Sequence, residues 1–293
     1  EEQRRTTGRV RAIILKGRQQ GVSTYVEGRY YWQTTHRKGV RAFILTHEAD
    51  STAALFEMVE RYHEEAPAFV KPVTGASNAR ELIFSKLDSG YKVGTAGNKS
   101  VGRGTTIQYF HGSEVAYWPN AAEHAKGILQ AIPDEPDTEI ILESTANGVG
   151  NYFYQQWQQA EAGTSPFQAI FVPWYWQDEY IKFGLNLKPS EEEDRLVELY
   201  GLTKEQLAFR RSKIAELSAD GIDGEFAFRQ EYPLTAQEAF QVSGGDSLIR
   251  PELVVQARKN KVLAIGPLIV GVDPARFGDD RTAIVRRKGR SVY

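Results

Sequence analysis

Cysteine is absent from this 293-residue chain, which excludes disulfides and cysteine-ligated metal sites and agrees with a reducing compartment. No apolar run approaches the roughly 20 residues that span a bilayer, and no signal peptide opens the sequence. Charge of one sign is not in excess either. With 36 basic and 38 acidic residues the formal net charge is −2, so the whole chain is not an obligate polyanion binder. Internal repeats and low-complexity tracts are missing. The chain begins Glu1-Glu2 without a methionine and carries motifs close to both ends, so we expect a fragment of a longer protein or a processed start.

What is present is enough apolar sequence, 41%, to bury a large core with smaller attachments. Basic residues gather at Arg4, Arg5, Arg9, Arg11, Lys16 and Arg18, again at Arg210, Arg211 and Lys213, and finally at Arg286, Arg287, Lys288 and Arg290. Each cluster could contact a phosphodiester backbone; solvated surface charge explains each more simply.

Over the first half, apolar runs alternate with amphipathic stretches: a strand at Val10 to Leu15, a helix at Ser23 to Arg37, a strand at Val40 to Leu45 and a helix at Asp50 to Glu64. This βαβα order predicts a mainly parallel sheet flanked by helices, with ligands at the carboxyl ends of the strands. Pro67 and Pro72 end the second helix. Short strands are expected at Glu81 to Phe84 and Tyr91 to Val93, then, after a polar loop at Gly97 to Gly104, at Thr105 to Phe110 and Thr138 to Leu142, with a helix at Ala121 to Ala131. Beyond Gly150, Tyr152, Phe153, Tyr154, Trp157, Trp174, Tyr175 and Trp176 make an aromatic packing zone around Ile170 to Val172. Pro189 to Asp220 has a charged helical pattern opened by Ser190, with Glu191 to Asp194 suiting a positive helix end. A last helix near Pro251 to Lys259 precedes a new strand at Pro267 to Val272.

The stretch Ile13 to Thr24, IILKGRQQGVST, has the grammar of a phosphate cradle. A strand runs into a loop where Gly17 and Gly21 admit close approach of backbone N–H groups, and a helix N-terminus follows. Ser23 sits where a hydroxyl holds Mg²⁺ in such loops. The spacing between the glycines is one residue short of G-x-x-x-x-G-K-[ST], and Val22 stands at the lysine position; an ordinary strand-turn-helix fits the stretch equally well. A second element, IQYFHGSEVAYW, carries Glu114 out of an apolar strand, as a nucleotide hydrolase needs, although Ser113 replaces the usual preceding aspartate. Its alternative role is to cap the following helix. The third, Glu143-Ser144-Thr145-Ala146-Asn147-Gly148, again follows a strand; its hydroxyls could sense phosphate state or form a local Ser/Thr turn. His47 and His111 are assigned no chemistry, since scattered histidines at strand ends are more often structural.

KGRQQGVST, GRGTT with FHGSEVAYWPN, ESTANG, FRQEYPLTAQEAF and GVDPARFGDDRTA, in that order, resemble the successive motifs of the large terminase subunit of tailed bacteriophages, through nearly the whole chain. The resemblance implies an α/β fold, a P-loop ATPase of ASCE type at 1–177, a small helical linker or lid subdomain at 178–264 and the first strands of an RNase H-like nuclease domain at 265–293. It implies an ATP-hydrolysing motor that drives double-stranded DNA into a procapsid, and a metal-dependent nuclease that is incomplete in this chain. ATP phosphates would be held by Lys16, Gly17, Arg18, Gln19, Gln20, Gly21, Val22, Ser23 and Thr24, with Lys16 matching the upstream lysine of some terminases and Arg18 competing for the role. Ser23 would ligate Mg²⁺, Glu114 would be the catalytic glutamate, Ser144 and Thr145 the coupling motif, and Arg103 an arginine reaching a neighbouring subunit's ATP. Asp273 would be a first nuclease metal ligand for Mg²⁺ or Mn²⁺, and Asp280 a further one unless it merely forms the turn with Asp279. Implied partners are double-stranded DNA, a portal protein, a small terminase subunit and further copies in a ring, with no membrane, in the cytoplasm of an infected bacterium. Two other readings compete: another P-loop DNA translocase or helicase, and a nucleotide-binding assembly module with little turnover.

Overall fold

Alternation along the strands decides the architecture. In β1 (Val10–Lys16), Ala12 and Ile14 face one side and Ile13 and Leu15 the other. The same split recurs in β2 (Arg41–Thr46), where Ala42 and Ile44 oppose Phe43 and Leu45. Because both faces are apolar, both must be covered, and such strands read as unbroken apolar runs. In the computed structural model, which describes residues 1–78, 80–97, 106–184, 188–218, 223–240, 262–273 and 283–292, helices cover both.

One face packs Val26 and Tyr30 of α2 (Val22–His36) and Leu55, Phe56 and Val59 of α3 (Ala49–Glu65). The opposite face packs Ile128 of α4 (Ala121–Leu129) and Phe153 and Trp157 of α5 (Tyr152–Glu161). A short helix at Glu2–Thr7, α1, precedes β1 and was not evident in the sequence pattern. Helix α3 stops where Ala66 turns extended before Pro67, as the steric demand of a following proline requires.

The remaining strands of the first sheet are β3 (Ala76–Asn78), β4 (Glu81–Phe84), β5 (Ser89–Thr95), β6 (Tyr109–Ser113), β7 (Glu139–Ser144) and β8 (Gln168–Val172). Their order is β3-β4-β5-β2-β6-β7-β1-β8. From β5 to β8 the neighbours run parallel; β3 and β4 add an antiparallel edge. Thus β7 lies between β1, which leads into the glycine loop, and β6, which leads to Glu114. The strand expected over Thr105 to Phe110 lies further on, because pairing of β6 with both β2 and β7 carries the ladder through His111, Gly112 and Ser113.

Beyond the sheet, α6 (Glu191–Tyr200), α7 (Lys204–Leu217), α8 (Gly224–Glu231) and α9 (Ala236–Ala239) follow. Ser190 and Thr203 each form a capping box, with Glu193 and Gln206 returning the hydrogen bond. Trp174, Tyr180, Leu207, Phe209, Phe228 and Tyr232 form a core shared by α7 and α8, while Ala239 of α9 packs into the core of the sheet. The aromatic zone is therefore only partly interior: Phe153, Trp157 and Trp174 are buried, while Trp176 is exposed.

Contacts divide the chain into two compact units, Glu1–Gly245 and Asp246–Tyr293. In the second, β9 (Leu268–Asp273), β10 (Ala283–Lys288) and β11 (Ser291–Val292) form an antiparallel sheet in which Asp273 pairs with Ala283. The helix expected at Pro251 to Lys259 lies outside the described residues, as do Arg103 and Asp280. Among the described residues no helix is long and apolar enough to cross a membrane.

Candidate nucleotide-binding site

The loop between β1 and α2 is tied down at its first half and open at its second. The Gly17 N–H is held by the Gln20 side chain and the Val172 carbonyl, and the Arg18 N–H donates to the Glu231 carbonyl at 2.9 Å. Gln20 Nε2 also donates to the Pro173 carbonyl at 2.7 Å, and the Tyr180 hydroxyl donates to the Arg18 carbonyl. At the far end Gly21 caps α2 with φ of 71°, the left-handed region that glycine enters without steric cost, and no side chain caps the helix. The first N–H groups of α2, at Val22, Ser23 and Thr24, therefore lack intrahelical acceptors and point where an anion would sit.

Val22, at the usual lysine position, packs against the core on the α2 side of the sheet. The cation near the loop is Lys16, at the end of β1. Alternation puts it on the same face as Ala12 and Ile14, and its buried Nζ lies 2.9 Å from Glu114 Oε1 and 3.1 Å from Glu143 Oε2. Arg18 goes elsewhere: its side chain is 61% exposed and pairs with Glu231 at 3.3 Å.

Glu114 follows β6 with φ of 52°, a left-handed conformation uncommon for a residue with a Cβ. It precedes the 3-10 turn Val115–Tyr117 but its side chain makes no capping bond. Instead Oε2 accepts from Ser144 Oγ and the Thr145 N–H, both at 3.2 Å, while Oε1 takes Lys16. Ser144 Oγ also accepts the Ala116 N–H, and Thr145 Oγ1 lies 3.3 Å from the Tyr117 hydroxyl. Ser144 and Thr145 are thus bound to the Glu114 turn across the strand gap rather than closed into a local turn of their own.

A second carboxylate in the site is one to which the sequence pattern assigned no role. Glu143, fully buried near the end of β7, accepts from Ser113 Oγ at 2.7 Å and Ser23 Oγ at 2.9 Å on Oε1, and faces Lys16 on Oε2. Behind it His111 is buried between two carboxylates, with Nδ1 2.7 Å from Glu27 Oε1 and Nε2 3.5 Å from Glu143 Oε1, the latter a charge contact without hydrogen-bond geometry. Sequence parity carries the signal: 109, 111 and 113 share the α2-facing side of β6, as 141 and 143 do in β7, and Glu27 lies on the buried stripe of α2 with Val26 and Tyr30.

Charges alternate along this chain of contacts, and burial sets the stakes. Burial alone would raise the Glu143 pKa, but Lys16, His111 and Ser113 outweigh it and hold the carboxylate well below its ordinary range. Burial would lower the Lys16 pKa, yet Glu143 and Glu114 raise it above the ordinary lysine value. His111 follows the same logic: burial opposes its charged form, Glu143 and Glu27 favour it, and its pKa is pushed up to about 9. Glu27 is raised by burial, which His111 partly offsets.

Most residues of the first two basic clusters form intramolecular pairs. Arg4 bridges Asp137 and Glu139, Arg9 and Arg11 reach Asp134, and Arg210, Arg211 and Lys213 pair with Glu225, Glu193 and Glu216. Asp273 ends β9 in the second unit, on an exposed strand. Among the described residues no group of three His, Asp or Glu side chains could hold a metal by itself. A nucleotide's Mg²⁺ makes a smaller demand, one or two carboxylates or hydroxyls besides phosphate oxygens and water. The Ser23 hydroxyl beside a buried carboxylate oxygen that accepts no hydrogen bond fits it.

An uncapped helix behind a glycine loop, a lysine at the preceding strand end and carboxylates at the ends of two adjacent parallel strands define the P-loop class of α/β domains, in its form with one strand inserted between loop strand and acid strand. Within that class the fold is that of large terminase ATPase domains. The chain is similar to the large terminase ATPase domain of Thermus phage P74-26, at 20% identity with a TM-score of 0.51, covering 78% of this chain and 88% of that one. It is also similar to the large terminase of bacteriophage HK97, at 14% identity with a TM-score of 0.57, covering 94% of this chain and 56% of that one. The present chain therefore spans little more than half the HK97 protein. No family model matches the sequence, and no curated protein matches it.

Proposed function

We propose that this chain is the ATPase portion of a DNA-packaging motor, hydrolysing ATP to move double-stranded DNA into a procapsid. The observation that carries the reading is the convergence of Lys16, Ser23, Glu114 and the Ser144-Thr145 pair within one bonded group at the carboxyl ends of β1, β6 and β7.

The residues divide the work by position. The Val22, Ser23 and Thr24 N–H groups and the Lys16 ammonium bind phosphate oxygens, with Lys16 rather than Arg18 as the charge. Ser23 would hold Mg²⁺, which would supply positive charge to offset that of the phosphate oxygens. Glu114, whose side chain is 25% exposed, is placed to orient a water and take its proton once Lys16 turns to phosphate. Ser144 and Thr145, both bonded to the Glu114 carboxylate, are positioned to pass a change there into β7 and the loop beyond it. Arg103 serves in trans on a neighbouring copy's nucleotide, so full activity requires a ring. Asp273, with Asp280, serves as a metal ligand of a Mg²⁺- or Mn²⁺-dependent nuclease. Portal, small terminase subunit and duplex DNA are the partners, in the host cytoplasm.

The test is ATP turnover with and without DNA and procapsids. The wild-type chain hydrolyses ATP and is stimulated by them, whereas Glu114→Gln binds ATP with turnover reduced by about 10²-fold or more. A wild-type chain that does not bind ATP, or near-normal turnover in Glu114→Gln, refutes the assignment.

A further inference from the structure

We infer that Glu143, not a residue of β6, is the carboxylate that anchors the nucleotide's divalent cation in this chain; the inference rests on the ATPase reading above. P-loop hydrolases hold Mg²⁺ between the loop hydroxyl and an acid at the end of a neighbouring strand. At the corresponding place β6 offers only Ser113. Ser113 and Glu143 are register partners across parallel strands, and Ser113 Oγ donates to Glu143 Oε1 at 2.7 Å. Being one methylene longer than aspartate, Glu143 reaches from β7 into the space beside Ser113.

Three features give the carboxylate that role. First, Oε1 accepts the Ser23 hydroxyl at 2.9 Å. A hydroxyl that donates its proton to Glu143 keeps its lone pairs free for a cation, so Glu143 fixes the orientation that Ser23 needs. Second, Oε2 is fully buried and accepts no hydrogen bond; its near neighbour is the Lys16 ammonium at 3.1 Å. When Lys16 engages phosphate, Glu143 would be left as a buried charge lacking its strongest partner, a costly state. A divalent cation on the Ser23 side restores the balance. Third, the carboxylate is braced from behind by His111, itself hydrogen-bonded to Glu27 at 2.7 Å. Such outer contacts fix the direction of a metal-supporting group.

Glu114 does not compete for this position. Its second oxygen is held by Ser144 Oγ and the Thr145 N–H on the opposite side of β7's end, and its side chain reaches solvent. Glu143 is 0% exposed and cannot meet a bulk water. The two carboxylates therefore separate cation support from water activation.

The experiment measures ADP affinity by calorimetry in Mg²⁺ and in EDTA, and Mn²⁺ binding to the ADP complex by electron paramagnetic resonance. Glu143→Gln is expected to lose about 10–100-fold of cation affinity while its ADP affinity in EDTA is retained. Adding Ser113→Asp to Glu143→Gln is expected to restore Mn²⁺ binding, because the second carboxylate enters the same space from the neighbouring strand. Undiminished Mn²⁺ affinity in Glu143→Gln, or no recovery in the double variant, overturns the inference. If Glu143→Gln fails to fold by circular dichroism, Glu143→Asp is read instead: weakened Mn²⁺ binding supports the role and unchanged binding refutes it. A wild-type chain with no Mg²⁺-dependent ADP affinity overturns the ATPase reading itself, an outcome distinct from a variant that keeps the wild-type Mg²⁺ effect.

Discussion

Replacing Lys16 with methionine isolates the electrostatic element at the centre of the site. The substitution keeps the length of the side chain and removes a charge that sits 3.1 Å from fully buried Glu143 and 2.9 Å from Glu114. Removing one partner of a buried pair costs about 3–5 kcal/mol, chiefly because the other charge is left behind. Ser23, Ser113 and His111 still contact Glu143, so the lower end, about 3 kcal/mol, is the appropriate figure. At about 2–4 °C per kcal/mol for a domain of this size, Tm falls by about 6–12 °C near pH 7. The pH dependence identifies the cause. In the wild type the Glu143 pKa is depressed, so its stabilising contribution is present above the unfolded carboxylate value of about 4.3 and is lost only as pH falls through the lower folded value. Without Lys16, burial dominates and the folded pKa rises; the charged carboxylate then opposes folding at neutral pH, and protonation relieves it as pH falls. The stability gap between wild type and Lys16→Met must therefore narrow from pH 7.5 toward pH 5 in urea titrations. Adding Glu143→Gln to Lys16→Met should recover part of the loss. A gap under about 1 kcal/mol, or one that does not change with pH, refutes buried-charge control of this site.

Two further outcomes follow from the same geometry. Arg18→Ala should change Mg²⁺-ADP affinity by less than about threefold, whereas Lys16→Ala should weaken it by about tenfold or more, the size of one lost charge-assisted bond; the reverse order in calorimetry would make Arg18 the phosphate ligand. His111→Gln should flatten the stability profile on the alkaline side. Because the His111 pKa is raised to about 9, its contribution is complete below the unfolded value of about 6.5 and is lost as pH rises through about 9, so urea midpoints of wild type and variant that run parallel between those pH values would count against a buried imidazolium.

Much of the fold was legible because the elements that build it obey one period each. The apolar runs of β1 and β2, the proline after α3 and the Ser190 cap all act locally, and, β6 apart, the observed elements begin within a residue or two of the expected positions. Pairing order is a different matter. Nothing in the residues 139–144 states that β7 inserts between β1 and β6, and the displaced start of β6 shows pairing overriding the apolar run that marked it. The site divides in the same way. Lys16, Ser23, Glu114 and Ser144 lie where strands end, so a sequence rule about strand ends reaches them. Glu27, Glu143 and His111 are charged groups within helix or strand periods, and their meaning appears only when three elements meet.

That meeting explains why the site departs from the usual pattern at two positions at once. A lysine at the helix start stands above the sheet, close to phosphate and solvent, and needs no buried partner. Moving the cation to Lys16 brings it down to the end of β1, where it is almost wholly buried and would lose its charge without carboxylates beside it. Strand β7, one of the two neighbours of β1, supplies one beside that of Glu114, and Glu143 stands in register with Ser113. Once a carboxylate stands at 143, an aspartate at 113 would set two buried anions side by side around a single lysine, and the like-charge repulsion would drive one of them to protonate. Ser113 avoids that conflict and donates a hydrogen bond instead. The valine at position 22 and the serine at position 113 are, on this argument, two consequences of one relocated charge.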